Sequence, residues 1–362
     1  MKKTQLNHLH YRIGAKMVEF GGFEMPVSYT SIKEEHLCVR KKVGVFDVSH
    51  MGEFFVKGPH ALALLQHACS NDISKLIPGK AQYNYFPNLR GGIVDDLIVY
   101  QLEEEVYFLV VNASNIEKDW AWLSKLNADF GAQLINASED YALLAIQGPE
   151  AIKAINVLSA EDLTRLPFYA HCTTNFAGFN DILIATTGYT GAGGVELYCK
   201  NEVVEDIWKA IFKAGEAYGI QPIGLAARDT LRLEMGYCLY GNEINDDTSP
   251  IAAGLGWVTR PSTNFVNAEK IELEKREGVA TALVGFELLE RGIPRNGHTI
   301  VDNTNTPIGT VTSGTQSPSL NKAIGMGYVP KESAETGSTI GIQIRQKTIP
   351  AKVVNLPFYS SK

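Results

Sequence analysis

The sequence predicts a multidomain α+β protein: two ferredoxin-like α+β units in tandem, then an all-β domain, either a sandwich or a barrel. Three observations carry this. The chain has 362 residues, too many for one ordinary core. One block of text occurs twice, Phe55-Val56-Lys57-Gly58-Pro59-His60-Ala61-Leu62 being echoed by Ala145-Ile146-Gln147-Gly148-Pro149-Glu150-Ala151-Ile152. From about residue 255 the texture changes to short apolar strands broken by turns, as in residues 282–288, 307–314 and 340–345.

In chain order, residues 31–42 carry helix signals, with Ser31 as N-cap, Glu34 three residues on as the other half of a capping box, and Gly44 past the end. Residues 45–56 read as β-like and carry His50. No carboxylate partner is visible nearby, so a hydrogen-bonded structural histidine is preferred over a catalytic one. Each copy of the repeat then runs from a strand through a Gly-Pro turn into a helix, with proline in the first helical turn. Asp96-Leu97-Ile98-Val99 resembles Asp181-Ile182-Leu183-Ile184, and each is followed by a second strand, at 106–111 and 195–199. Similar text, Asn115-Ile116-Glu117-Lys118-Asp119-Trp120 and Val203-Val204-Glu205-Asp206-Ile207-Trp208, opens a helix in both. Strand, helix, strand, strand, helix is the ferredoxin-like order, and such duplications often leave a cleft between copies.

Within the first copy, the turn Arg90-Gly91-Gly92 leads into an apolar strand that opens on Asp95 and Asp96. Side chains alternate along a strand, so one of the two points inward. A turn residue bonded to backbone N–H groups and a functional acid both account for a buried carboxylate. In the second copy, residues 188–198 form a glycine-dense turn that ends in a strand. A dinucleotide fingerprint would end in a helix, so that reading is set aside; the turn brings Tyr189 and Glu196 to a common opening. Residues 224–236 read as a helix with Arg228, Arg232 and Met235 on one face. An arginine there is either a solvated helix charge or a fork onto a carboxylate. A loop at 261–264 joins the all-β domain.

Composition narrows the function classes. A formal net charge of -7 argues against a nucleic-acid-binding surface as the main function. The five cysteines are widely spaced, without C-x-x-C, so neither a zinc site nor a disulfide framework is indicated and no metal is expected. The N-terminal residues lack the apolar run of a signal peptide, and no stretch is long enough to span a bilayer. A cytoplasmic protein with no membrane association is expected.

Several stretches together resemble the T-protein (aminomethyltransferase) family of the glycine cleavage system: residues 14–26, 44–52, 91–99, 188–197, 224–233 and 311–320, with matches running on to Pro357-Phe358-Tyr359. The resemblance covers essentially the whole chain. It implies two ferredoxin-like or related α+β domains and a C-terminal β-barrel, jelly-roll-like domain, arranged as a cloverleaf around a central folate channel. It also implies that the first domain is discontinuous: residues 1–50 with 137–254, then 51–136 as an inserted domain carrying Asp96, and 255–362 as the barrel. The implied reaction moves the one-carbon unit from the aminomethyl-lipoyl arm of H-protein to tetrahydrofolate. Its products are 5,10-methylenetetrahydrofolate, ammonia and dihydrolipoyl H-protein. The partners implied are the lipoylated H-protein and the other components of the glycine cleavage complex. Such a site must hold a flat pterin, favour a cationic iminium-like state and exclude water.

On the same resemblance Asp96 matches the family's essential aspartate, leaving Asp95 as the structural member of the pair. Glu196 and Arg228 match folate-contacting positions. Met51, Tyr83, Tyr100, Asn112 and Tyr189 are implied lining residues, and Tyr359 closes the channel. Arg291 and Arg295, in the turn at 290–297, are read as solvated loop arginines in preference to a docking pair for an acidic carrier or the folate tail. Two rivals stand beside this reading. A folate-dependent iron–sulfur maintenance protein of the same fold carries a Lys-Gly-Cys motif, where this chain has Gly236-Tyr237-Cys238. A non-catalytic folate-binding module of a larger oxidase comes with a flavin domain, for which no fingerprint is found.

Overall fold

The structure, a computed structural model, describes residues 1–360. Packing divides the chain into two units, one of Met1–Ala68, Asp72–Asn84 and Asp96–Asp229, the other of Cys69–Asn71, Tyr85–Asp95 and Thr230 onward. At the start of the first unit, β1 (Lys2–Lys3), α1 (Asn7–Arg12), β2 (Lys16–Phe20) and β3 (Phe23–Ser28) form a small sheet of order β1-β3-β2 with its helix. Next, α2 (Ile32–Lys41) begins at the expected cap, the Ser31 hydroxyl accepting from the Glu34 N–H at 3.2 Å. Strand β4 (Gly44–Asp47) follows.

The duplicated text folds into two sheets. The first copy runs β5 (Gly52–Lys57), α3 (Ala61–Ala68), β6 (Lys80–Pro87), β7 (Ile93–Glu103), β8 (Val106–Val111), α4 (Ile116–Asn127) and β9 (Gln133–Asn136). The second runs β10 (Tyr141–Gln147), α5 (Ala151–Ile155), β11 (His171–Phe176), β12 (Phe179–Ala185), β13 (Gly194–Lys200), α6 (Val204–Gly215) and β14 (Gln221–Pro222). Their strand orders are β6-β7-β8-β5-β9 and β11-β12-β13-β10-β4-β14. With β6 set aside, β7-β8-β5-β9 is the ferredoxin-like order. Strands β6 and β11 are therefore additions, one per copy, that the sequence reading passed over. Beside β10 lies β4, which precedes the first copy in the chain, so the second sheet draws on segments both before and after the first.

Periodicity explains the packing. Val204, Ile207, Trp208 and Ile211 of α6 recur at helical spacing and are buried with Ile146, Ile184, Val195 and Leu197 of the second sheet. Each such side chain contributes about 1.5–3 kcal/mol when fully buried. Along β7, Asp95, Leu97 and Val99 are buried while Asp96 and Ile98 are half-buried. The fully inward carboxylate is thus Asp95, at 0% exposure.

The second unit holds the end of α7 (Leu225–Glu234), α8 (Ala268–Glu277) and six strands: β15 (Thr281–Leu288), β16 (Thr299–Val301), β17 (Pro307–Gln316), β18 (Ala323–Pro330), β19 (Thr339–Ile344) and β20 (Lys347–Val354). They close as β15-β18-β17-β16-β19-β20, which decides for a barrel over a sandwich. Val284, Phe286, Ile300, Val311, Val329, Ile342 and Val353 fill it. Arg232 is buried in this unit as a structural cation, donating to Glu243 Oε2 and Ser313 Oγ at 2.7 Å each. Among the described residues no helix is long and apolar enough to cross a membrane.

The turn before β7 is held within the second unit by Asn88. Its Oδ1 accepts from the N–H groups of Arg90 (2.8 Å) and Gly92 (3.0 Å), and its Nδ2 donates to Asp246 O at 2.7 Å. A Cβ on Gly92 would lie 1.9 Å from Asp246 O. Gly92→Ala is expected to destabilise the protein by about 1–3 kcal/mol, read as a lower urea midpoint; a wild-type midpoint would rule out so tight an approach.

Candidate active site

All the side chains of the candidate site described first belong to the first unit. Asp96 sits near the start of β7, half-buried, and both its carboxylate oxygens accept hydrogen bonds. Tyr83 Oη, from β6, donates to Oδ2 at 2.8 Å, and Asn112 Nδ2, just past β8, donates to Oδ1 at 2.8 Å. Asn112 Nδ2 also reaches the Asp96 carbonyl at 3.3 Å. Hydrogen bonds to a charged group contribute about 1.5–3 kcal/mol, so the additional strand β6 earns its place by supplying one of them.

The glycine-dense turn of the second copy is tied at both ends and in the middle. Buried Gln147, closing β10, donates through Nε2 to the carbonyls of Thr187 and Val195 at 3.2 Å each and accepts from Thr190 Oγ1 at 2.7 Å. Arg40 donates to Thr190 O. Gly194 has φ +118, and a Cβ there would lie 2.2 Å from Ile146 O, so no other residue fits. The turn presents Tyr189, and the Arg228 guanidinium carbon lies 4.3 Å from the centroid of its ring, within cation–π range. Arg228 is in the first turn of α7, and the start of that helix is set by buried Glu35. One Glu35 oxygen accepts from Gly224 N at 2.7 Å, and the other from Tyr29 N (2.7 Å) and Thr30 N (2.8 Å).

Glu196, half-buried on β13, accepts from Thr187 Oγ1 at 2.5 Å through Oε2. Burial pushes its carboxyl pKa above the usual range, while the Thr187 bond, the Arg228 charge and the Tyr100 and Tyr198 hydroxyls pull the other way. His50 is fully buried, and burial, then the Arg228 charge, push its pKa down to about 3, so its ring is neutral at pH 7. Its Nδ1 has no hydrogen-bond partner. The ring lies edge-on to Phe20 and Phe23, with centroids 5.5 and 6.4 Å away. Aromatic packing thus replaces the hydrogen bonding expected of it at that nitrogen. Met51, next in the chain, is half-buried just ahead of β5.

Tyr100 has no exposed surface; its hydroxyl is 3.0 Å from Thr187 Oγ1 and 2.9 Å from Tyr198 Oη, so it supports Thr187 instead of lining a pocket. Tyr359 is in the second unit, its backbone N–H donating to Glu234 O at 3.0 Å. Arg295, exposed in the same unit, donates to Gly314 O at 3.1 Å, and Arg291 is exposed nearby in the chain. The reading missed Thr187, Tyr198 and Gln147, whose roles come from contacts between strands.

A firmly held carboxylate, a second acid with an elevated pKa and a guanidinium stacked on a phenol suit a flat heterocycle rich in N–H groups. They also suit positive charge developing beside Asp96. The family model "GCVT N-terminal domain" matches residues 6–263, and "Glycine cleavage T-protein C-terminal barrel domain" matches residues 282–360. The chain belongs to the glycine cleavage T-protein family. Aminomethyltransferase from Flavobacterium psychrophilum is 56% identical over 359 residues, 99% of each chain, and that from Bacteroides thetaiotaomicron 54% identical over 360 residues, again 99% of each. The crystal structure of glycine cleavage system aminomethyltransferase T from Bartonella henselae superposes with a TM-score of 0.93 at 35% identity, covering 99% of this chain and 98% of that one. This member of the T-protein family is an aminomethyltransferase, an enzyme of one-carbon transfer. Full-length likeness of this order favours that activity over iron–sulfur maintenance or a non-catalytic module.

The buried imidazole sets a pH dependence for this T-protein family member. A folded pKa near 3 against about 6.5 in the unfolded chain means that the unfolded state binds the extra proton first. The stability due to neutral His50 is complete above pH 6.5 and is lost as pH falls toward 3, at about 1.4 kcal/mol per pH unit. In His50→Phe, urea unfolding is expected to show a shallower loss of stability across that window; equal slopes would contradict a neutral His50.

Proposed function

We propose that the enzyme catalyses the folate-dependent step of glycine cleavage. In this step the aminomethyl group on the lipoyl arm of H-protein gives its carbon to tetrahydrofolate, with release of ammonia and the dihydrolipoyl arm. The observation that carries the reading is Asp96, a half-buried carboxylate with a hydrogen bond on each oxygen, in a chain of the aminomethyltransferase family. The donor set of the site fits a tetrahydrofolate. Glu196 can accept from pterin N–H groups, Arg228 can meet polar ligand atoms, and Tyr189 together with Met51 offers apolar surface to a flat ring. When bound, tetrahydrofolate supplies the nitrogen nucleophiles that take up the carbon.

The chain's own residues then have separable tasks. Tyr83 and Asn112 fix Asp96, so that its negative charge is in place before ammonia departs and lowers the energy of the cationic transition state without reorganisation. With a donor already on each oxygen, Asp96 acts chiefly as a fixed charge in this proposal and not as a shuttle for a proton. Glu35, through Gly224, and Gln147, through the glycine turn, hold Arg228 and Tyr189 at a constant separation. For the domains we propose the division into 1–50 with 137–254, 51–136 and 255–362, supported by the strand content of the two sheets and the barrel.

The test is a coupled assay with aminomethyl-loaded, lipoylated H-protein. Asp96→Asn is expected to lower tetrahydrofolate-dependent ammonia release by about 10²–10⁴-fold while calorimetric affinity for tetrahydrofolate stays within a few-fold; unchanged turnover would sink the assignment. Glu196→Ala and Arg228→Ala should each weaken tetrahydrofolate binding by about tenfold or more, and wild-type affinity in both would remove them from the pocket.

A further inference from the structure

Behind Glu196 runs a line of buried hydroxyls. Tyr198 Oη lies 2.9 Å from Tyr100 Oη, Tyr100 Oη lies 3.0 Å from Thr187 Oγ1, and Thr187 Oγ1 donates to Glu196 Oε2 at 2.5 Å. Both tyrosines are 0% exposed and Thr187 is 3% exposed. Each hydroxyl owns a single proton. Because the Thr187 proton is committed to Glu196, Thr187 receives from Tyr100, and Tyr100 in turn receives from Tyr198. All three donors therefore point the same way, toward the carboxylate. Such a line is cooperative, each bond polarising the next.

The surroundings put no competing charge on this line. Next to Tyr198 is Glu53, fully buried and with neither carboxyl oxygen hydrogen-bonded; burial raises its pKa well above the usual range and so favours its neutral form. Packed edge-on to Tyr100 at 5.8 Å is His171, whose Nε2 is 2.9 Å from Gln101 O and whose pKa burial lowers, so it too is neutral. Tyr169 also faces Tyr100. Arg228 faces Glu196 as a permanent cation. The Tyr100 and Tyr198 hydroxyls also face Glu196 and favour its ionised form.

We propose that Tyr198 is a positioning residue for the folate site: acting through Tyr100 and Thr187, it orients the proton line so that Glu196 presents an ionised Oε1 to the N–H groups of the ligand. This rests on the folate-contacting role proposed above for Glu196. Without the Tyr198 hydroxyl, Tyr100 loses the donor that fixes its direction. It can then turn its own proton away from Thr187, which weakens the polarised donor to the acid while burial continues to favour its neutral form.

The experiment uses the full chain labelled with ¹³C at glutamate carboxyls, the Glu196 resonance being assigned by its absence in Glu196→Gln. In Tyr198→Phe the Glu196 titration is expected to move to higher pH, and tetrahydrofolate binding at pH 7, measured by calorimetry, to weaken about 3- to 10-fold. Thr187→Val, which removes the last link, should move both further, and Thr187→Ser, which restores the hydroxyl, should return both to wild type. Thermal melting establishes that each variant is folded. A Glu196 titration unmoved in both Tyr198→Phe and Thr187→Val overturns the proposal. The titration is read without ligand, so wild-type tetrahydrofolate affinity in Glu196→Gln counts instead against the pocket assignment, and the two failures are told apart.

Discussion

A carboxylate removed from water costs several kcal/mol unless donors meet it, and the first unit is arranged around that requirement. Asp96 has Tyr83 and Asn112, Glu196 has Thr187, and Glu35 has three backbone N–H groups. Asp47 accepts from Thr4 Oγ1 at 2.7 Å and Ser49 N at 3.0 Å, with His10 Nε2 at 2.9 Å; its hydrogen bonds and the His10 charge outweigh burial and hold its pKa below the usual range. Glu53 has no donor to either oxygen, and burial favours its neutral form. The same side-chain chemistry thus gives a structural clamp, a fixed charge or a neutral acid, according to how many donors the fold delivers.

Delivery depends on close backbone approach. Gln147 can bind both ends of the glycine turn because Gly194 lies against Ile146 O, where a Cβ would stand at 2.2 Å. Glu35 can reach across 189 residues of sequence to Gly224 N because that N–H belongs to the unsatisfied first turn of α7. In both cases a buried polar side chain satisfies backbone groups and, as a consequence, sets where Tyr189 and Arg228 stand. The positions of the cation and the ring follow from hydrogen-bond satisfaction elsewhere.

Much of this was legible in the sequence where the signal is periodic or local. The Ser31 cap, the doubled Gly-Pro turns and the alternation at Asp95 and Asp96 all have short-range causes, and each appears in the structure. Strands β6 and β11 were passed over because Lys80-Ala81-Gln82-Tyr83-Asn84-Tyr85 and His171-Cys172-Thr173-Thr174-Asn175 mix polar residues onto both faces, which hides the two-residue period. Alternation alone said that one aspartate turns inward. It could not say that the functional expectation would attach to the more open neighbour, since that depends on Tyr83 and Asn112 arriving from other strands. Thr187 and Tyr198 carried no signal of their own, because a hydroxyl's role is set by what it meets across the fold.

Four strands of each sheet correspond in order, β6-β7-β8-β5 and β11-β12-β13-β10, but the two copies put their acids to different use. In the first, Asp96 lies near the start of β7, with donors from β6 and from beyond β8; in the second, Glu196 lies on β13, with its donor just past β12. Tyr100 lies four residues after Asp96 on the same face of β7, about 13 Å along the strand, yet it bonds to Thr187 and Tyr198 of the other copy. A duplicated domain without such a bond could let its copies drift apart without altering either acid. Here a displacement of β7 would change the hydrogen bonding of Asp96 at one end and of the Glu196 line at the other, so the position of one strand governs both acids.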